Sequence, residues 1–67
     1  MDCIELGEII KQKRIEKNLT QKGLAMKLNV TDKAVSKWER GLCYPDLSLY
    51  EMLSAVLDIP LENLISH

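Results

Sequence analysis

Lys33 and Lys37 stand four residues apart in the segment TDKAVSKWERG (31–41), with Asp32 before the first, Ser36 between them and Arg40 after the second. On a helix that spacing puts both ammonium groups on one face, a single turn apart. An ammonium donates to phosphate oxygens and to O6 and N7 of guanine, and a carboxylate accepts from N4 of cytosine. The chemistry open to this constellation is recognition of a polyanion. Catalysis is not expected: the chain offers neither a nucleophile–base set nor a carboxylate pair with an obvious pocket. Cys3 and Cys43 are too distant in sequence for a Cys-x-x-Cys motif, and the one histidine, His67, is terminal with no task assigned to it. Metal, cofactor and disulfide framework are therefore not expected, and the two thiols read as reduced cysteines of a cytosolic protein.

The net charge of −1 would not by itself suggest a nucleic-acid partner. Its distribution does. All nine Lys and Arg residues fall between Lys11 and Arg40, where Glu16, Asp32 and Glu39 are the only acids, so this segment carries +6. Residues 1–10 carry −3 and residues 41–67 carry −4. Charges more than about 8 Å apart are largely screened at physiological salt, so a polyanion meets the local field and not the net value.

The elements that must position these side chains follow from apolar spacing. Leu6, Ile9, Ile10 and the stem of Lys13 recur at helical intervals, which predicts a first helix over about 4–17, with Asn18 suited to its left-handed end. Thr20 is an N-cap candidate for a second helix whose inner face is Leu24, Ala25 and Leu28. Asn29 stands where the chain must turn, and Asn tolerates positive φ better than most residues. Thr31 caps a third helix, Asp32 favours its positive end, Val35 and Trp38 face inward, and Gly41 closes it. Pro45 and Asp46 mark the start of a fourth helix carrying Leu49, Leu53, Val56 and Leu57; Pro60 opens a short fifth with Leu61, Leu64 and Ile65. No stretch alternates long enough for a strand, and no apolar run approaches the ~20 residues of a membrane span. The expectation is an all-α fold of five helices, one domain over 1–67, with a helix-turn-helix at 20–41. Trp38, Tyr50 and Tyr44 read as packing residues, Tyr44 with a hydroxyl that could also touch a phosphate.

In Arg14, Leu19-Thr20-Gln21, Leu24-Ala25, Val30-Thr31 and the run Val35-Ser36-Lys37-Trp38-Glu39-Arg40-Gly41 the chain resembles the phage-repressor-like (Cro/XRE) helix-turn-helix family, from about Leu6 to Ile65. The resemblance implies a lambda-repressor-like DNA-binding domain whose third helix enters the major groove of double-stranded DNA. It implies base reading by Asp32, Lys33, Ser36 and Lys37, and phosphate contacts from Gln21, Lys22, Arg40 and Tyr44. It also implies that Arg14 pairs with Glu39 and clamps the first helix to the end of the third. Two departures stand out. Gly23 occupies a position often acidic in the family, so Thr20 lacks a capping box, and the loop Leu42-Cys43-Tyr44 lacks the usual bases.

A chain of this length buries only about 60% of its unfolded surface. Val56, Ile59, Leu61, Leu64 and Ile65 look like more apolar surface than one such core can absorb, which suggests a homodimer interface near the C-terminus. A two-fold dimer would set two recognition helices about 34 Å apart on a palindromic operator. The expected function is a cytoplasmic, bacterial or phage-encoded transcription regulator acting as a repressor by occupancy. With no separate ligand domain expected in 67 residues, its level, its proteolysis or a protein partner would do the switching. The competing expectation is an antitoxin- or adaptor-type protein-binding module on the same fold.

Overall fold

The computed structural model describes residues 1–65; His67 lies outside them. Five α-helices run in the order α1 (Cys3–Glu16), α2 (Gln21–Leu28), α3 (Asp32–Glu39), α4 (Tyr50–Leu57) and α5 (Leu61–Ile65), with one 3₁₀ turn (Leu47–Leu49) leading into α4. The fold is all-α, and no strand occurs among the described residues.

The helix ends obey one local rule. Asn18, Asn29, Gly41 and Asp58 each take a left-handed conformation, with φ of 58°, 59°, 72° and 60°. In each case the following amide reaches back five residues: Leu19 N to Arg14 O, Val30 N to Ala25 O, Leu42 N to Lys37 O and Ile59 N to Ser54 O, at 2.9–3.0 Å. That is the Schellman closure, which satisfies carbonyls the helix would otherwise orphan. Asn and Asp serve here in place of glycine because a short polar side chain lowers the steric cost of this region. The helix starts are capped just as locally. Asp2, Thr20 and Thr31 accept from Glu5, Gly23 and Ala34 N–H at 2.8, 2.9 and 3.1 Å. Thr20 thus caps α2 without the acid of a full capping box.

Asp46 does not open the fourth helix directly. Its carboxylate accepts from both the amide and the hydroxyl of Ser48, starting the 3₁₀ turn, and α4 begins only at Tyr50. These bonds favour the ionised form and hold the Asp46 carboxyl below its ordinary range.

The core collects Leu6 and Ile10 from α1, Leu24, Ala25 and Leu28 from α2, Val35 and Trp38 from α3, and Tyr50, Leu53 and Leu57 from α4. Ile59 and Leu64 complete it, at 4% and 3% exposure, so two of the five residues expected at a dimer face are interior. With so few layers, each aliphatic side chain is needed inside, and α5 closes the open end of the monomer.

Among the three glycines, Gly7 marks the tightest approach, where α1 meets the end of α3. A Cβ there would lie 2.1 Å from the Trp38 carbonyl oxygen and 3.2 Å from the backbone of Glu39. Only glycine lets α1 lie against the C-terminal end of α3 at this spacing. Gly7→Ala must push the two helices apart, so its cost should be at least that of core overpacking, about 1–3 kcal/mol. For a domain of this size, a melting temperature lowered by roughly 5–20 °C is expected in thermal denaturation. An unchanged melting temperature would show that the helices separate freely.

Candidate nucleic-acid interface

The side chains that fix α3 converge on one carboxylate. Arg14, in the last turn of α1, donates from Nε to Glu39 Oε2 at 2.6 Å and from Nη2 to Glu39 Oε1 at 3.1 Å. Its Nη1 donates to the Leu19 carbonyl at 2.7 Å, so all three guanidinium nitrogens are used. The carboxamide of Gln21, the first residue of α2, donates to Glu39 Oε1 at 3.0 Å. Arg14 and Glu39 side chains are 12% and 3% exposed, so this pair is nearly dry. A carboxylate so buried is tolerable only with its lone pairs occupied, and here three donor atoms from two elements occupy them. The network joins α1, the α1–α2 connection, α2 and α3 at one point.

Gln21 was expected at a phosphate, and the structure turns its side chain inward onto Glu39. What α2 leaves open at its N-terminus is backbone: Gly23 N–H is taken by Thr20 Oγ1 and Leu24 N–H by Thr20 O, while the amides of Gln21 and Lys22 have no partner among the described residues. Tyr44 is likewise committed elsewhere. Its hydroxyl donates to Met1 O at 2.8 Å, so in this structure that donor is engaged.

On α3, Val35 and Trp38 are buried while Asp32, Lys33 and Lys37 are exposed and Ser36 is half-buried. The inner anchors and the outer polar side chains share one eight-residue helix, so the angle of the first fixes the aim of the second. Arg40, just past α3, folds back to donate from Nε to the Ser36 carbonyl at 3.3 Å. Lys22 is exposed beside the free amides of α2.

Ion pairs are confined to α1 and its C-cap, where Lys11 is the one cation that makes none among the described residues. Lys13 meets Glu16, Arg14 meets Glu39 and Lys17 meets Asp58, all involving α1 or its C-cap. Among the described residues, Lys22, Lys27, Lys33, Lys37 and Arg40 make no ion pair. Every cation of α2, α3 and the α3 C-cap is therefore available to an external anion. Of the proposed dimer face, Val56 and Leu61 are half-buried against the core and Ile65 is 50% exposed. No group of three or more His, Cys, Asp or Glu side chains suited to a metal occurs among the described residues, and no helix there is long and apolar enough to cross a membrane.

Removing one partner of the buried pair should be far costlier than removing an exposed one. Arg14→Ala leaves the Glu39 carboxylate buried with Gln21 alone, a loss of about 3–5 kcal/mol. Lys17→Ala removes a contact whose side chains are 41% and 81% exposed, worth about 0–1 kcal/mol. Thermal melts should separate the two variants by 10 °C or more, on a scale of roughly 4–8 °C per kcal/mol; equal shifts would remove the clamp as a structural determinant.

A family model described as helix-turn-helix matches residues 10–64. The chain is 38% identical over 63 residues to the HTH-type transcriptional activator BcrR of Enterococcus faecalis, a match covering 94% of this chain and 31% of that protein. It is 36% identical over 60 residues to multiprotein-bridging factor 1 of Candida albicans and of Debaryomyces hansenii, covering 90% of this chain and 40% of each of theirs. The chain thus spans only about a third of the length of the curated relatives it matches. With the α2–α3 pair, the capped turn at Asn29 and the match over 10–64, the chain belongs to the phage-repressor-like helix-turn-helix family of DNA-binding regulators.

Proposed function

We propose that this protein regulates transcription by laying α3 in the major groove of an operator, with Lys33, Lys37, Ser36 and Asp32 toward the base edges. The observation that carries this reading is the unpaired state of all five cations from Lys22 to Arg40, on a helix pair whose own acids do not quench them. Lys33 and Lys37 donate to guanine, and Asp32 accepts from cytosine or serves the helix dipole, so half-sites with G·C pairs at the contacted steps are expected. Lys22 and Arg40 hold phosphates, as do the free amides of Gln21 and Lys22, where the dipole of α2 favours an anion. Tyr44 is left out of the contact set because its hydroxyl donates to the Met1 carbonyl.

Binding as a dimer to a palindromic operator remains the arrangement we favour, on a smaller face than the sequence suggests. Ile65 with the partly covered Val56 and Leu61 supplies it, and Ile59 and Leu64 are spent in the core. So small a patch predicts weak self-association that DNA reinforces. The sign of regulation follows from operator position: occupancy represses where the site overlaps a promoter. The relative from Enterococcus faecalis is by name an activator, which a site upstream of the promoter would allow. An adaptor reading is the alternative, favoured by the 36% identity with multiprotein-bridging factors. In that reading the helix-turn-helix is a scaffold and the acidic ends meet a protein.

Fluorescence polarisation on the DNA upstream of the protein's own gene, at two salt concentrations, tests the groove assignment. Lys33→Ala/Lys37→Ala should weaken binding to that site by at least about 30-fold, given about 1–3 kcal/mol per good base contact. Lys22→Ala should weaken all sequences alike and lower the salt slope by about 1. Wild-type affinity in the double variant would refute groove reading and favour the adaptor. For the dimer, sedimentation with a palindromic duplex should give two chains per duplex, and Ile65→Glu should return the complex to one. A single chain bound at every concentration would rule the dimer out.

A further inference from the structure

The two thiols lie 40 positions apart in the chain and are both free. Contacts on either side of each bring them to the same end of the molecule. Two residues before Cys3, the Met1 carbonyl accepts from the hydroxyl of Tyr44, the residue after Cys43, at 2.8 Å. One residue after Cys3, Ile4 packs on Gly41, two before Cys43. A Cβ at Gly41 would lie 2.8 Å from Ile4 Cγ1 and 3.0 Å from Ile4 Cα, so the backbones touch. The start of α1 and the loop after α3 therefore run past one another with a cysteine on each strand of the crossing.

We infer that Cys3 and Cys43 form a reversible disulfide when a small-molecule disulfide such as glutathione disulfide reaches the protein. A disulfide needs Cα atoms about 4.4–6.8 Å apart, and the close approach of the two segments is at Ile4 and Gly41, one residue from Cys3 and two from Cys43. Both sites allow adjustment. Cys3 is the first residue of α1, and Cys43 is exposed in the irregular segment before the 3₁₀ turn. The Tyr44 hydroxyl is pushed above its ordinary value by partial desolvation and by the Cys3 thiol.

The exchange balances. The exposed Cys43 thiolate attacks one sulfur of glutathione disulfide, breaking that S–S bond and releasing one glutathione thiolate. The Cys3 thiolate then attacks the Cys43 sulfur of the mixed disulfide, forming the Cys3–Cys43 bond and releasing the second glutathione. The two cysteine thiols together lose two protons and two electrons, and one glutathione disulfide becomes two glutathiones. The closed ring contains all of α1, α2 and α3, so the entire recognition unit lies within one covalent loop of about 41 residues. Chain-entropy arguments for a loop of that length give a melting temperature higher by roughly 15–30 °C, less any strain. This modification is independent of the DNA-binding reading.

Glutathione redox buffers, with the products trapped by acid and weighed by mass spectrometry, test it on the whole chain. The expected product is a monomer lighter by two hydrogens, with a peptide map linking the segments that hold Cys3 and Cys43. The oxidised protein should melt at least about 8 °C above the reduced one. The effective molarity of the thiol pair should be at least about 30-fold higher in the folded protein than in urea, since linkage makes the two gains equivalent. Cys3→Ser and Cys43→Ser should each abolish the product while keeping the helical circular dichroism of the reduced wild type. Two glutathione adducts without a link, disulfide-joined dimers as the main product, or a ring that forms equally well in urea would each overturn the assignment.

Discussion

The fold turns on one dry ion pair. Glu39 ends α3 and Arg14 lies in the last turn of α1: all three guanidinium nitrogens donate, and the carboxylate takes two bonds from Arg14 and one from Gln21. Whether such a pair is worth more than an apolar substitute is open to either sign in proteins generally. Its value here is directional. An apolar plug could fill the volume, but a planar fork holding a carboxylate at two points also sets rotation. Because Val35 and Trp38 seat α3 by packing and Glu39 fixes its end, α3 has little freedom to roll, and the outward lysines inherit that rigidity.

Gly7 belongs to the same constraint. The bidentate geometry requires α1 to run close over the end of α3, and the Trp38 carbonyl leaves no room for a methyl group there. The sequence displays Arg14 and Glu39 as charged residues 25 positions apart, and family resemblance is what suggests their pairing. It displays Gly7 as a weak point inside an apolar repeat. Nothing local marks it as the surface on which another helix rests, because that requirement comes from the partner.

The same division between local and tertiary causes explains what could be read in advance. Asn18, Asn29 and Gly41 were legible as helix ends and Thr20 and Thr31 as helix starts, since cap chemistry is settled within five residues. Asp58 follows the identical rule but was passed over, because an acid after an apolar helix reads as surface charge. The 3₁₀ turn hid behind Pro45 and Asp46 for a related reason: an Asx cap looks alike whether three residues or eight follow it. Family resemblance suggests Gln21 at a phosphate, steadying α3 as well; that its carboxamide donates to Glu39 is visible only in the packed structure, because the acceptor lies 18 residues away on another helix. Ile59 and Leu64 show the limit of counting apolar residues. Periodicity identifies a face that needs cover, and does not say whether a neighbouring helix or a second copy supplies it.

The charge pattern then follows from the clamp. Of the two acids between Lys22 and Arg40, Glu39 is neutralised inside, leaving Asp32 as the one exposed negative group among five cations. Lys33 and Lys37 repel one another across one helical turn, and Lys37 and Arg40 do so across three residues, each pairing unfavourable by about 0.2–0.5 kcal/mol. A helix selected for stability alone would interleave acids here, as α1 does with Glu16 against Lys13. Its last turn joins the core through a buried pair, while the exposed face keeps its repulsion unrelieved. Lys33, Lys37 and Arg40 therefore stand together at a small mutual cost, which the apolar anchors Val35 and Trp38 and the buried Arg14–Glu39 pair offset.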